Sequence, residues 1–451
     1  MITFLNPNAN VEVVRKLEFS TPPLGLGYLA AVLREKGFRV RIVDDLVEKL
    51  SFDELVKKIK NSIIVGITST TPTFVSALNY AKKIKEVFPD VFVILGGVHI
   101  SFEPEKAVSN DFVDAVCIGE GEETIVEVAE RVEAGKTLEG VKGIYYKEEG
   151  KLRKNEPRNF IENLDSLPFP AFDLMPLEKY SVLGQKIKHF PMITSRGCPF
   201  ACRYCSSSLF MGHRFRARSA KNVVDEIEWL MDEFKAKHIA FSDDTFTLNK
   251  KRVVEICEEI KRRKLEITWS CSSRIDTVTD ELLKLMKSVG CVAIYYGIES
   301  ASKRILEYYR KRISIERAKE VVRTTRKIGI STICSFIIGA PIETREEMKK
   351  TLEFAIKLDP DYAQFTILTP YPGTEIYEEA KRKNLLLSEN YEDYTAAKPV
   401  IKTQVSPKEL AAILKSCYLK FYLRPRFILR ELWKGNLGVI LKTIKKVLFK
   451  S

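Results

Sequence analysis

Short apolar runs alternate with helical segments twice along this chain, and that rhythm constrains the fold more than any other feature. Ile63-Ile64-Val65-Gly66-Ile67 and Val91-Phe92-Val93-Ile94-Leu95 have no polar face. A strand apolar on both sides is covered on both, as in a parallel sheet with crossover helices. The pattern predicts strands over 2–6, 39–44, 63–68, 91–95 and 115–118. Helices are predicted over 24–36, 52–60, 73–88 and 123–133, with a short one near 104–109. Five such strands make an α/β domain over 1–140, a doubly wound, flavodoxin-like parallel sheet with its ligand crevice at the carboxyl strand ends.

Residues 141–190 read as a connector. A polar hairpin turns at Glu148-Glu149-Gly150, and proline stiffens Leu167-Pro168-Phe169-Pro170-Ala171-Phe172. From 191 to 400 the alternation resumes in six βα units, predicting a partial (β/α)6 barrel with its chemistry at the carboxyl strand ends. Residues 401–451 read as a C-terminal helical segment, broken at Arg424-Pro425-Arg426. Its last part repeats Leu437, Ile440, Leu441, Ile444, Val447 and Leu448 at helical spacing among lysines. A basic amphipathic helix of this kind either lies on a membrane surface or packs on the barrel.

Charged and hydrophobic fractions of 29% and 45% are those of a soluble globular protein. No 18-residue apolar run or signal peptide is legible, so a cytoplasmic location is expected. Part of the net charge of +13 sits in the tail and the rest is scattered, so no nucleic-acid surface is expected. The four histidines are unclustered, which disfavours hydrolytic and general-base chemistry. Nine cysteines without a secretory context point to metal ligation and buried thiols.

Three of those cysteines, Cys198, Cys202 and Cys205, fall within eight residues in a C-x3-C-x2-C arrangement. Thiolates suit iron–sulfur clusters, zinc or copper(I). No fourth cysteine is near; Cys257, Cys271 and Cys291 belong to separate predicted elements. His213 is a candidate fourth zinc ligand, but Arg214, Arg216 and Arg218 around it oppose a cation. Three thiolates on a four-iron cluster leave one iron open to a substrate or cofactor. In the first domain, the strands are followed by Thr68-Ser69-Thr70, Gly96-Gly97-Val98-His99 and Gly119-Glu120-Gly121-Glu122. Small residues there let backbone approach a large ligand, although tight βα turns use the same residues.

The cysteine spacing, with Tyr204 before the last cysteine, resembles the radical S-adenosylmethionine (SAM) superfamily. Thr21-Pro22-Pro23-Leu24-Gly25-Leu26-Gly27, the Gly96-Gly97-x-His99 turn and the Gly119-to-Glu122 turn resemble the cobalamin-binding domain that precedes this core in one subgroup. The resemblance implies a [4Fe-4S] cluster on Cys198, Cys202 and Cys205, with SAM on the open iron and Tyr204 near the adenine. It places Asp243 and Asp244 at the SAM amino group and Gly339 on the adenine strand. Arg274 is a candidate partner for the SAM carboxylate, and Glu299 and Ser300 for the ribose; Asp243 and Ser300 also suit helix caps. Cobalamin would contact Leu24, Gly25, Thr68, Ser69, Thr70, Gly96, Gly97, His99, Gly119 and Glu120. The Asp-x-His-x-x-Gly pattern that supplies an axial histidine is missing.

The activity implied is a cobalamin-dependent C-methyltransferase. One SAM methylates the cobalt, and a second is cleaved to a 5′-deoxyadenosyl radical that opens an unactivated C–H bond. An anaerobic oxidative cyclase and a non-catalytic electron-transfer protein are the alternatives. The implied partners are a small-molecule or lipid substrate, an external low-potential electron donor and, through the tail, a membrane surface.

Overall fold

The structure, a computed structural model, describes residues 1–8, 20–182, 185–186 and 189–433. The amphipathic run from Leu437 onward lies outside the described residues. The first sheet contains β1 (Ile2–Asn6), β2 (Val40–Asp44), β3 (Ile64–Thr68), β4 (Phe92–Gly96), β5 (Ala115–Cys117), β6 (Ile144–Glu148) and β7 (Lys151–Lys154). Its order is β2-β1-β3-β4-β5-β6-β7, parallel through β5 and antiparallel beyond. The five expected parallel strands are present in flavodoxin-like order. The hairpin assigned to the connector belongs to this sheet instead. Its backbone is free to extend the edge left by β5, and Ile144 and Tyr146 are buried against the first core.

Leu167–Phe172 then crosses to the second domain. Phe172 meets Phe190 at 5.2 Å between ring centroids and Phe169 meets Trp229 at 5.5 Å. A Cβ on Gly27 would stand 2.6 Å from Met175, so this glycine is what lets the crossing lie directly on helix α1 (Leu24–Glu35).

The second sheet is all parallel in consecutive order, β8 (His189–Met192), β9 (His238–Phe241), β10 (Thr268–Ser273), β11 (Cys291–Glu299), β12 (Ser331–Ile338) and β13 (Tyr362–Ile367). It is the expected six-stranded partial barrel, open between β8 and β13. Side-chain caps define its helix starts: Ser219, Asn249, Thr279, Ser314 and Thr344 each accept a backbone N–H three residues on. One outer face carries Trp269, Cys271, Ile294, Tyr296, Cys334 and Phe336, all buried under those helices.

The exposed edge at β13 is closed by the chain end. Helix α2 (Pro407–Tyr422) lays Tyr418 and Tyr422 along it. Tyr418 Oη accepts from Phe365 N and donates to Phe365 O, and Tyr422 does the same at Ala363. Two phenols thus satisfy backbone groups that a seventh strand would otherwise take. Among the described residues no helix is long and apolar enough to cross a membrane.

Candidate functional site

The cysteine loop leaves the carboxyl end of β8. Ser195-Arg196 pairs antiparallel with Arg216-Ala217, and Gly197 follows at φ +86°, where a Cβ would collide with the Arg214 carbonyl. Cys198 N donates to Gly212 O (3.1 Å), Arg203 N to Tyr309 O (3.1 Å) and Ile376 N to Arg203 O (3.3 Å). The loop is therefore held by three separate parts of the chain. Cys198, Cys202 and Cys205 are free thiols, each partly exposed. Burial, and next to it the Asp244 carboxylate, push the Cys198 and Cys205 thiols upward. A bound metal reverses that preference by replacing the proton.

Among the described residues no three His, Cys, Asp or Glu side chains form a single-ion site. That gives no support to zinc held with His213. Three thiols on one short loop, each on its own residue corner, fit the separate irons of a cubane.

The barrel rim shows which predicted SAM contacts are available. Asp243 is not: its carboxylate accepts from Thr194 N (2.6 Å), Thr194 Oγ1 (2.5 Å) and Ser195 Oγ (2.6 Å). It fastens the root of the cysteine loop instead. Asp244 is exposed and near enough to Cys198 and Cys205 to act on both thiols electrostatically. Arg274 has its fork occupied by Asp276 (2.9 and 2.7 Å) and stacks on Phe200 of the loop at 3.6 Å. Ser300 is buried against Thr351 (3.2 Å) and accepts from Ser302 N, so it shapes a turn. Gly339 turns at φ +87° under Leu410 and gives its N–H to Glu343.

Glu299 is where charge converges. It sits at φ +66°, a strained conformation for a residue with a side chain. Oε1 accepts from Tyr204 Oη (3.1 Å) and Lys311 Nζ (3.1 Å), and Oε2 from Ser335 Oγ (3.3 Å). Tyr204 also packs edge-on against buried Tyr309. The residue before the last cysteine is thus joined to the rim carboxylate.

Below the rim, strand register gives the inner face of the barrel in rows. Ala240, Ser270, Ala293 and Ser331 form one row, Ser272, Tyr295 and Ile333 the next, and Gly297, Ser335 and Gln364 the third. None of these carries a formal charge. Tyr295 stands 45% exposed in the middle row.

At the carboxyl ends of the first sheet lies a cavity of about 220 Å³. Gly25, Thr68, Gly96, Gly97, Gly119 and Glu120 line it, with Ile193, Arg196, Phe210 and Met211 from the barrel domain opposite. At Gly97 (φ +104°) a Cβ would stand 2.6 Å from Ser69 O, while Gly25 and Gly119 face open space. Glycines at a largely apolar wall fit a large ligand approached by backbone.

Four predicted contacts fall elsewhere. Leu24 is in the core, Ser69 is buried and donates to Thr70 O, and Thr70 caps a turn through Thr73. His99 is buried against Phe74 (4.3 Å) and Tyr391 (4.6 Å), with Nδ1 on Thr71. Burial, with Lys106 adding to it, lowers its pKa to about 4. The histidine stays neutral and packs between the first domain and the end of the barrel domain. Glu120 lines the cavity, but its oxygens take Arg196 (2.9 Å), Arg216 (2.8 Å) and Ile161 N (2.7 Å).

With this geometry in place, comparison with known proteins is decisive. Residues 192–355 match the Radical SAM superfamily and residues 11–129 the B12 binding domain. An uncharacterized methyltransferase of Pyrococcus horikoshii is 43% identical over 451 residues, covering 99% of this chain and 98% of that protein. The chain belongs to the radical SAM superfamily, in its cobalamin-binding branch. This radical SAM enzyme is also 30% identical over 438 residues to the anaerobic magnesium-protoporphyrin IX monomethyl ester cyclase of Rubrivivax gelatinosus, covering 95% of this chain and 78% of the cyclase. Its fold matches the radical SAM methyltransferase TsrM of Kitasatospora setae, solved with tryptophan and a SAM analogue, at TM-score 0.74 and 18% identity, over 94% of this chain and 89% of that one. Its cofactors are the [4Fe-4S] cluster, SAM and cobalamin.

Two rim groups had no signal in the sequence reading. Lys311 follows a six-residue helix, Lys303–Tyr308, too short to show a helical period. Its one marker is the Ser302 cap. Arg196 was legible only as the residue before Gly197-Cys198, with nothing to link it to the Glu120 turn.

Proposed function

We propose that this radical SAM enzyme methylates an unactivated carbon of a small molecule. The observation that carries this is the shared wall: Ile193, Arg196, Phe210 and Met211, from the cysteine loop and its surroundings, close the glycine-lined crevice of the first domain. A cobalamin in that crevice therefore faces the cluster loop. When bound, the cluster supplies the electron that cleaves SAM, and cobalamin carries the methyl group to be transferred.

The chain's own work is positioning and exclusion of water. Cys198, Cys202 and Cys205 would hold the cluster. Asp244, open and beside the thiols, offers an acceptor to the SAM ammonium. Glu299, held by Lys311, offers its remaining acceptor capacity to ribose hydroxyls, and Tyr204 is fixed beside it. The uncharged rows under the rim suit an uncharged substrate portion, with Tyr295 as an apolar platform. A low-potential electron donor from outside the chain completes the set.

The identity to the cyclase supports a second reading, in which the substrate carbon radical closes a ring. Methyl-labelled SAM separates the two. Label recovered in the product supports methylation; a product lighter by hydrogen, without label, supports cyclisation.

A further inference from the structure

Between the crevice and the cysteine loop lies a group of four buried charges that satisfy one another. Arg196 is 6% exposed and reaches Glu120 through Nη1 (2.9 Å) and Glu122 through Nη2 (2.5 Å). Arg216 shares Glu120 (2.8 Å) and donates to the carbonyls of Ile161 (2.7 Å) and Met211 (2.9 Å). Two guanidinium groups and two carboxylates balance to zero. Glu120 also takes the Ile161 amide, and Arg196 lies over the Tyr28 ring at 5.5 Å.

The placement of these groups matters. Glu120 and Glu122 belong to the turn that ends β5 and opens the helix Glu122–Glu133 of the first domain. Arg196 and Arg216 are partners in the two-residue ladder that roots the cysteine loop, and Arg196 is two residues from Cys198. Arg196, Glu120 and Glu122 all line the crevice. One arginine bridging two carboxylates is therefore part of the wall a corrinoid would press on and part of the root from which the first cluster ligand hangs. Buried Arg–carboxylate pairs are directional, and moving one end strands a charge at the other.

We propose that Arg196, clamped by Glu120 and Glu122, is a positioning residue that couples filling of the crevice to the geometry of the cysteine loop, so that cobalamin and the cluster bind cooperatively. The proposal rests on the crevice holding cobalamin. By linkage, a cluster that tightens cobalamin binding must itself be held more firmly by cobalamin, by the same factor.

The test is a thermodynamic cycle on the full chain under anaerobic conditions. Hydroxocobalamin affinity is measured by absorbance titration with the cluster reconstituted and with iron removed by chelation, in the wild type, Arg196→Lys and Glu122→Gln. The wild type is expected to bind about tenfold more tightly with the cluster present. Both variants are expected to bring that ratio toward one. Amide exchange of the peptide spanning 195–206, slowed by hydroxocobalamin in the wild type, gives the same answer without any variant, should either fail to fold. Equal ratios in wild type and variants, a wild-type ratio of one, or exchange at 195–206 indifferent to hydroxocobalamin overturns the coupling while leaving both cofactor sites standing. No binding of hydroxocobalamin to the wild type overturns the crevice assignment and the coupling with it.

Discussion

The two parallel sheets present their carboxyl ends to each other, yet they prepare those ends in opposite ways. The first sheet offers backbone: Gly25, Gly96, Gly97 and Gly119 around an apolar hollow, with its charges neutralised in pairs at the boundary. The barrel offers side chains already committed to one another, with Glu299 on Tyr204, Lys311 and Ser335, Asp243 on Thr194 and Ser195, and Arg274 on Asp276. A wide, mostly apolar macrocycle needs space and shape, which glycine provides. SAM carries an ammonium, a carboxylate and hydroxyls, and a buried charge must have a partner before the ligand arrives. The contrast separates a wall built by deletion of side chains from a rim built by their mutual hydrogen bonds and ion pairs.

Substitutions that act on one side only would break or sharpen this contrast. Cys202→Ala is expected to have the largest effect, abolishing 5′-deoxyadenosine formation and lowering bound iron, with hydroxocobalamin still bound and its affinity falling by no more than the factor of about ten that cluster removal gives in the wild type. Loss of both cofactors together would mean the two ends are not separate sites. Glu299→Gln comes next. It leaves Lys311 buried without a counter-charge, at a cost of about 3 kcal/mol in unfolding free energy, read by denaturant titration, with SAM binding weakened and hydroxocobalamin binding near wild type. Gly97→Val does the converse. It forces a β-branched residue into a left-handed conformation against Ser69, costs about 2 kcal/mol, and should remove hydroxocobalamin from the purified protein while the iron content holds.

The smallest expected effect belongs to His99. Its folded pKa, about 4, is below the ordinary histidine value, so the unfolded chain takes up a proton first as pH falls. Its contribution to stability is complete above pH ~6.5 and is lost between there and pH ~4. His99→Gln should flatten that part of the stability profile without moving hydroxocobalamin affinity. A change in affinity would return His99 to the ligand site.

Much of this was legible in the sequence because it rests on local pattern. Continuous apolar runs announced both parallel sheets, and the three cysteines announced the cluster loop. The glycine turns gave the crevice through Gly25, Gly96, Gly97 and Gly119. What escaped depends on contacts between distant segments. Glu120 lines the crevice, but its ion-pair partners Arg196 and Arg216 lie 76 and 96 residues away and left no signal beside it. Arg274 is a local exception, its fork taken by Asp276 only two residues along the chain. His99 looked like a crevice residue because Tyr391, which packs on it, comes from the far end of the barrel. Strand periodicity also could not say that the 144–154 hairpin would join the first sheet, since an edge strand is chosen by what lies beside it.

The central claim is that a cluster held by Cys198, Cys202 and Cys205 would keep one iron free of protein ligands and open to SAM, with a cobalamin facing it across the shared wall. Its most direct test is anaerobic reconstitution of the full chain with iron, sulfide and hydroxocobalamin, followed by a low-potential reductant and methyl-labelled SAM. The account predicts 5′-deoxyadenosine, together with the label transiently on protein-bound cobalamin. A reduced, cluster-loaded protein that retains cobalamin but releases no 5′-deoxyadenosine and never places label on it would contradict the account.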